Sequence, residues 1–256
     1  RVQVLVSAST MEAWTGQVWA QGAEARSKVL ACDGRKRGET LLPVSLFSTN
    51  DYLGLSGHAS VRRAASDAAE QYGMGPRGSP LVAGYTQIHA DLENALAKLK
   101  GTEACLLFPS GFAANMAVMT ALASEGDVLV YSDALNHASI IDGIRLAVKD
   151  SERRKVYRHC DMEHLEELLR AAPKGARTLV ATDSVFSMDG DVAPIARLVQ
   201  LREKYGFMLV VDEAHATLLY GETGAGVVEA SGGVGRVDVE VGTLSKAIGS
   251  MGGFVC

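Results

Sequence analysis

Lys246 lies in the stretch GTLSKAIGSMGG, Gly242–Gly253, among small uncharged residues and with no acidic neighbour in sequence to neutralise it. Alone it reads as a solvated surface lysine, but an amine held among glycines and hydroxyls can also condense with a carbonyl. Thr243 and Ser245 beside it can donate to phosphate oxygens. Asp212 ends the apolar run FMLVV, where an acidic group is costly unless a partner meets it. His215 follows three residues later in DEAHAT and points the same way if the chain turns there. Strand alternation sends Glu213 to the opposite side, so a third metal ligand is lacking and no metal is expected.

Three further segments follow apolar runs in the same manner. After ACLLF, Ser110 and Gly111 open a helix whose first N–H groups can hold a phosphate. The turn from ACLLF into that helix, PSGFAAN, carries neither GxGxxG nor GxxxxGK[ST], and the string GMGPRG at Gly73–Gly78 does not follow an apolar strand run, which argues against a nucleotide-binding Rossmann protein. After DVLVY come Asn136 and His137, whose ring can either stack on a planar ligand or simply cap a helix. After TLVAT come Asp183, Ser184 and Ser187. A lysine, an aspartate able to keep a pyridine nitrogen protonated, and an anion cradle are the requirements of pyridoxal 5'-phosphate (PLP) catalysis. The charge-assisted bond from the ring nitrogen to Asp212 is worth roughly 1.5–3 kcal/mol, which offsets burial of the acid.

The elements that must position these residues are legible as strands alternating with helices from Val61 onward, the pattern of a mostly parallel sheet with helices on both faces. The spacing of Leu92, Ala95, Leu96 and Leu99 in HADLENALAKLKG predicts a helix stopped by Gly101. A second helix is predicted in PIARLVQLREKYG, with Pro194 in its first turn, and MGGFVC reads as the entry to a strand. Residues 1–60 are read as an arm with a helix near Thr10–Leu30 and a substrate-site segment, and 61–256 as the cofactor-binding domain. In such sheets ligands bind at the carboxyl ends of strands.

Composition adds bounds. With 256 residues, 47% hydrophobic and 21% charged, the chain can bury a sizeable core. A net charge of −5 with mixed signs offers no basic face for nucleic acid, and the ERRK cluster at Glu152–Lys155 reads as a solvated loop. Cys32, Cys105, Cys160 and Cys256 are scattered without metal or disulfide spacing, which favours a reducing compartment. No apolar run reaches the ~20 residues of a membrane span. The first residue is Arg1, and both ends read as trimmed.

Taken in order, the motifs from NDYLGL at Asn50 to Val255 resemble the α-oxoamine synthase family of fold-type-I PLP enzymes. The resemblance implies that Lys246 carries the cofactor and removes the substrate Cα proton. It implies that Asp212 partners the pyridine nitrogen, His215 donates to the ring 3-oxygen, His137 stacks on the ring and Ser187 lies beside it. Gly111 and Phe112 would hold the phosphate through their backbone with Thr243, and Asn50 would line the amino-acid site. DEAHAT departs from the family's DDAHGT at Glu213 and Ala216.

Branches of the family differ in YGMGPRGSPLVAGYTQIH, Tyr72–His89. Pro80, the GYT of Gly84–Thr86, and YRHCDMEHL are similar to the biotin-pathway branch, which joins L-alanine to pimeloyl-CoA or another pimeloyl thioester. Branches using glycine or serine, and a catalytically silent partner subunit, are the alternatives; the joint presence of Lys246, Asp212, His215 and His137 argues against silence. The family further implies a homodimer, with the loop at Gly78 and Ser79 reaching the partner's cofactor, and a smaller C-terminal domain beyond Cys256 that holds a carboxylate-gripping arginine. A cytoplasmic location is expected, with peroxisome or plastid open.

Overall fold

The computed structural model describes residues 2–7, 41–46, 49–124 and 126–256. They fall into two compact units, Arg1–Thr49 and Asn50–Cys256. In the first, β1 (Val2–Ser7) pairs antiparallel with β2 (Leu41–Leu46), strands that the weak periodicity of this region does not announce. The helix expected near Thr10–Leu30 lies outside the described residues.

The second unit is built on a seven-stranded sheet of order β3-β9-β8-β7-β6-β4-β5. Its strands are β3 (Leu106–Phe108), β4 (Leu129–Asp133), β5 (Arg154–Tyr157), β6 (Thr178–Asp183), β7 (Met208–Asp212), β8 (Val239–Thr243) and β9 (Gly253–Val255). β5, β4, β6, β7 and β8 are mutually parallel, and only β9 runs against its neighbours β3 and β8. The mostly parallel α/β architecture expected from the alternating pattern is therefore the one observed.

Side-chain alternation along the strands builds a core on each face. Val130, Leu179, Ala181, Val210 and Val241 pack with Ala114, Met119, Ile140 and Ile144 of α3 (Gly111–Ala123) and α4 (Ala138–Ala147), where α1 is Ala59–Tyr72 and α2 is Gln87–Lys100. On the other face, Tyr131, Val180, Leu209 and Val211 pack with Leu165, Leu169 and Leu198 of α5 (Met162–Arg170) and α6 (Ile195–Tyr205). α3 and α4 approach so closely at Gly143 that an added Cβ would lie 2.9 Å from that of Met119.

Three local expectations change. Pro194 is the N-cap of α6 rather than a residue of its first turn. In α2, Ala95 is exposed, and Ala97 and Lys100 are buried with Leu96, because the Lys100 amine turns inward to two carboxylates. The ERRK segment is not a solvated loop: it forms a 3-10 turn, Ser151–Arg153, and then enters β5 at the sheet edge. Charged residues are common on edge strands because they discourage further pairing, and this masked the strand in the sequence.

Candidate active site

The carboxyl ends of β3, β4, β6, β7 and β8 lie at one end of the sheet and surround a cavity of about 210 Å³. At β3, Ser110 caps α3 by accepting from the Ala113 N–H at 3.1 Å, leaving the helix N-terminus beside Thr243. Gly111 is needed for that proximity, since an added Cβ would lie 3.1 Å from the Thr243 Cβ. Phe112 is exposed and meets the His137 ring edge-on, centroids 6.3 Å apart.

Asp212 is buried at the end of β7. Its Oδ2 accepts from the Asn115 amide at 2.6 Å and its Oδ1 from the Ala214 N–H at 2.8 Å. Asn115 also donates to Ser139 Oγ at 3.0 Å, while its own Oδ1 is buried without a partner. Asn115 was missed in the sequence; the available signal was an amide inside the otherwise apolar helical stretch GFAANMAVM. Asp183 stands beside Asp212 in register, and burial, then the neighbouring charge of Asp212, pushes its carboxyl up to about 8.

His215 turns toward the cavity, as expected, and its Nδ1 lies 2.7 Å from Tyr52 Oη. Burial, and secondarily the Lys246 charge, lowers its pKa to about 4. His137 caps α4, with Nδ1 2.7 Å from Ser139 Oγ and its N–H donating to Asp183 at 2.7 Å. Burial lowers the Lys246 amine from its ordinary value, against the pull of Asp212 and Asp183. Ser187 reaches the cavity from an exposed loop.

Lys246, Asp212, His215, His137, Ser187, Thr243, Gly111 and Phe112 therefore share one cavity. Asn50 does not join its wall; Tyr52, from the same NDYLGL segment, makes the contact with His215 instead. Glu213 faces away, as alternation requires: its carboxylate accepts from the Val227 and Val228 N–H groups at 3.0 and 2.9 Å and meets Lys100. Ser184 is likewise turned from the cavity, donating to the Asp212 carbonyl at 2.9 Å. Among the described residues no helix is long and apolar enough to cross a membrane.

The cavity suits PLP on its own evidence. The orphaned Asn115 Oδ1, the carboxylate it helps to orient, the uncapped N–H groups of α3 and a lysine of lowered basicity supply, in one enclosure, donors for an anion and partners for a ring.

Comparison with known proteins points the same way. The chain is 50% identical to 8-amino-7-oxononanoate synthase of Arabidopsis thaliana, an alignment covering 99% of this chain and 56% of that protein. It is 49% identical to the enzyme of that name from Geobacter sulfurreducens over 83% of this chain and 53% of the relative. The chain thus spans about half the length of the curated relatives it matches. Among solved structures it is similar to a Sphingomonas wittichii serine palmitoyltransferase (TM-score 0.80, 37% identity, 85% of this chain and 53% of that one). It is also similar to 8-amino-7-oxononanoate synthase from Francisella tularensis (TM-score 0.65, 29% identity, 82% and 57%). The family model for aminotransferase class I and II matches residues 43–256. The sheet order, the strand-end cavity and this match agree, and the chain belongs to the aminotransferase class I and II family.

Proposed function

We propose that this protein is an α-oxoamine synthase that joins L-alanine to pimeloyl-CoA, or another pimeloyl thioester, to give 8-amino-7-oxononanoate for biotin synthesis. The new carbon–carbon bond forms at the alanine Cα, the thiol leaves, and the alanine carboxylate departs as CO2. The observation that carries the reading is the 50% identity to the plant enzyme over nearly the whole chain, joined to a cavity that gathers the expected residues.

The cofactor is PLP, which when bound supplies an electron sink for the charge left at the alanine Cα. Asp212, aimed by Asn115 and the Ala214 N–H, keeps a proton on the ring nitrogen. Lys246 would hold the cofactor and its amine would take the Cα proton; its lowered pKa favours the neutral amine that a base must be. Tyr52 donating to Nδ1 of a neutral His215 leaves Nε2–H to donate to the ring oxygen. His137 and Ser187 would flank the ring, and the Gly111 and Phe112 N–H groups with Thr243 would hold the phosphate. A second copy of the chain covers the glycine-rich loop, where Met74, Leu81 and Val82 are 95%, 96% and 87% exposed.

A second reading has its own support: the serine palmitoyltransferase structure superimposes with a higher TM-score than the Francisella enzyme. Mass spectrometry of products formed by the full-length PLP-loaded protein decides between them. L-Alanine, glycine and L-serine are offered in competition against pimeloyl-, acetyl-, succinyl- and palmitoyl-CoA. Dominant 8-amino-7-oxononanoate is expected. A different amino ketone overturns the substrate assignment, and absence of any product, or turnover retained by Lys246→Ala, overturns the catalytic one.

A further inference from the structure

His159, in the YRHCDMEHL segment, lies outside the cavity wall yet joins two of its sides. Its Nδ1 is 2.8 Å from Asp133 Oδ1 at the end of β4, and its Nε2 is 2.6 Å from Asp191 Oδ2. Asp133 opens the loop that leads to His137, and its two oxygens also accept from the Leu135 and Cys160 N–H groups, both at 2.9 Å. Asp191 closes a small hairpin whose arms meet at the Val185–Val192 bridge and whose turn is held by Phe186 N–H to Asp191 O and Gly190 N–H to Phe186 O. Ser187 sits in that turn. The Phe186 ring packs edge-on against the imidazole, centroids 4.4 Å apart.

Asp133, His159 and Cys160 offer three ligand atoms within 4.8 Å of one another, but both imidazole nitrogens already face carboxylates, so the cluster is read as a bridge. Among the described residues neither Asp133 nor Asp191 pairs with a lysine or arginine, which leaves the imidazole as their counter-charge. The other titratable groups around it are uncharged or remote in effect. Burial, then Asp133 and Asp191, pushes the Cys160 thiol up to about 12. Burial keeps Tyr157 protonated, and burial, then the charge of Asp212, raises the Asp183 carboxyl at the end of β6.

We propose that His159 is a positioning residue whose imidazolium straps the Val185–Val192 hairpin, and with it Ser187, to the loop Asp133–His137, fixing the spacing of two sides of the cofactor cavity. The proposal rests on PLP occupying that cavity and is independent of which amino acid and thioester react. Burial disfavours the charge, but the hydrogen bonds that the imidazolium donates to Asp133 and Asp191, together with the charges of those carboxylates, outweigh it and raise the imidazole above its ordinary pKa. A raised value means that the strap is intact below it and is lost as pH rises through it.

The test uses nitrogen-15 NMR of the histidine rings and PLP titration across pH for the wild type, His159→Gln and Asp191→Asn. In the wild type, His159 is expected to stay doubly protonated above the ordinary histidine value of about 6.5, and PLP affinity to fall by about fivefold to tenfold as that charge is lost. His159→Gln is expected to bind PLP with the weaker affinity at every pH, without that step. Asp191→Asn, at a half-exposed position, should lower the His159 pKa and carry the same step to lower pH. A merely structural histidine would change thermal stability and leave the pH step in place. Titration of His159 at or below its ordinary value, or an unchanged pH profile of PLP binding in both variants, would overturn the proposal.

Discussion

Replacing Lys100 by methionine tests the electrostatics behind the site. The Lys100 side chain is wholly buried, with Nζ 3.2 Å from Glu240 Oε2 and 3.7 Å from Glu213 Oε2, and it donates to the Ala225 carbonyl. One cation thus serves two buried acids, and Glu213 anchors the segment after the cavity-lining turn through the Val227 and Val228 N–H groups. Burial pushes Glu213 up to about 7 and raises Glu240, with Lys100 opposing both shifts. For Glu213 the shift from an ordinary 4.5 corresponds to about 3 kcal/mol of stability present at acid pH and lost as pH rises toward 7. Removing Lys100 leaves two buried carboxylates uncompensated, a loss of about 3–5 kcal/mol where they are ionised. Where both are protonated, only the bond to Ala225 is lost, about 1 kcal/mol. Urea unfolding of Lys100→Met should therefore show a far larger deficit at pH 8 than at pH 5, with Glu240→Gln in the same chain restoring much of it at pH 8. An equal deficit at both pH values would refute the shared-charge account.

Two other outcomes probe the cavity directly. An alanine at Gly253 would place its Cβ 2.4 Å from the Ser110 carbonyl carbon and oxygen and 2.5 Å from the Gly111 nitrogen. Backbone cannot yield as a flexible side chain does, so Gly253→Ala should displace the start of α3 and weaken PLP binding by at least about tenfold in a titration. His215, depressed by burial and Lys246, should stay neutral as pH falls until about 4, and its nitrogen-15 signals should report this. Its depressed value means that stability is lost as pH falls from the ordinary histidine range toward 4. Titration near the ordinary value would show that the ring is better solvated than the structure implies.

Much of the fold was legible because it rests on local periodicity. The runs at Leu129, Thr178, Met208 and Val239 are apolar and β-branched, as strands covered on both faces must be, and each is followed by small or polar residues. What periodicity could not give was β5, whose arginine and lysine resemble a loop, or the pairing of β1 with β2, which joins segments far apart in the chain. Nor could it give the inward turn of Lys100. A lysine at the end of an amphipathic helix reads as solvated, and only the carboxylates brought by Glu213 and Glu240 make its burial tolerable.

The sequence by itself determined the chemistry offered: a lysine among small residues, acids and histidines after apolar runs, and a helix opened by Ser110 and Gly111. Strand ends are recognisable one at a time, and a parallel sheet obliges them to meet at one edge. Tertiary structure alone decided which of those groups face each other. It set Asp183 beside Asp212 through strand register, brought Asn115 from α3 to orient the acid, carried Tyr52 rather than Asn50 to His215, and linked Asp133 to Asp191 through His159. These pairings join residues distant in sequence, and hydrogen-bond geometry over 2.6–2.8 Å depends on packing that no local spacing encodes.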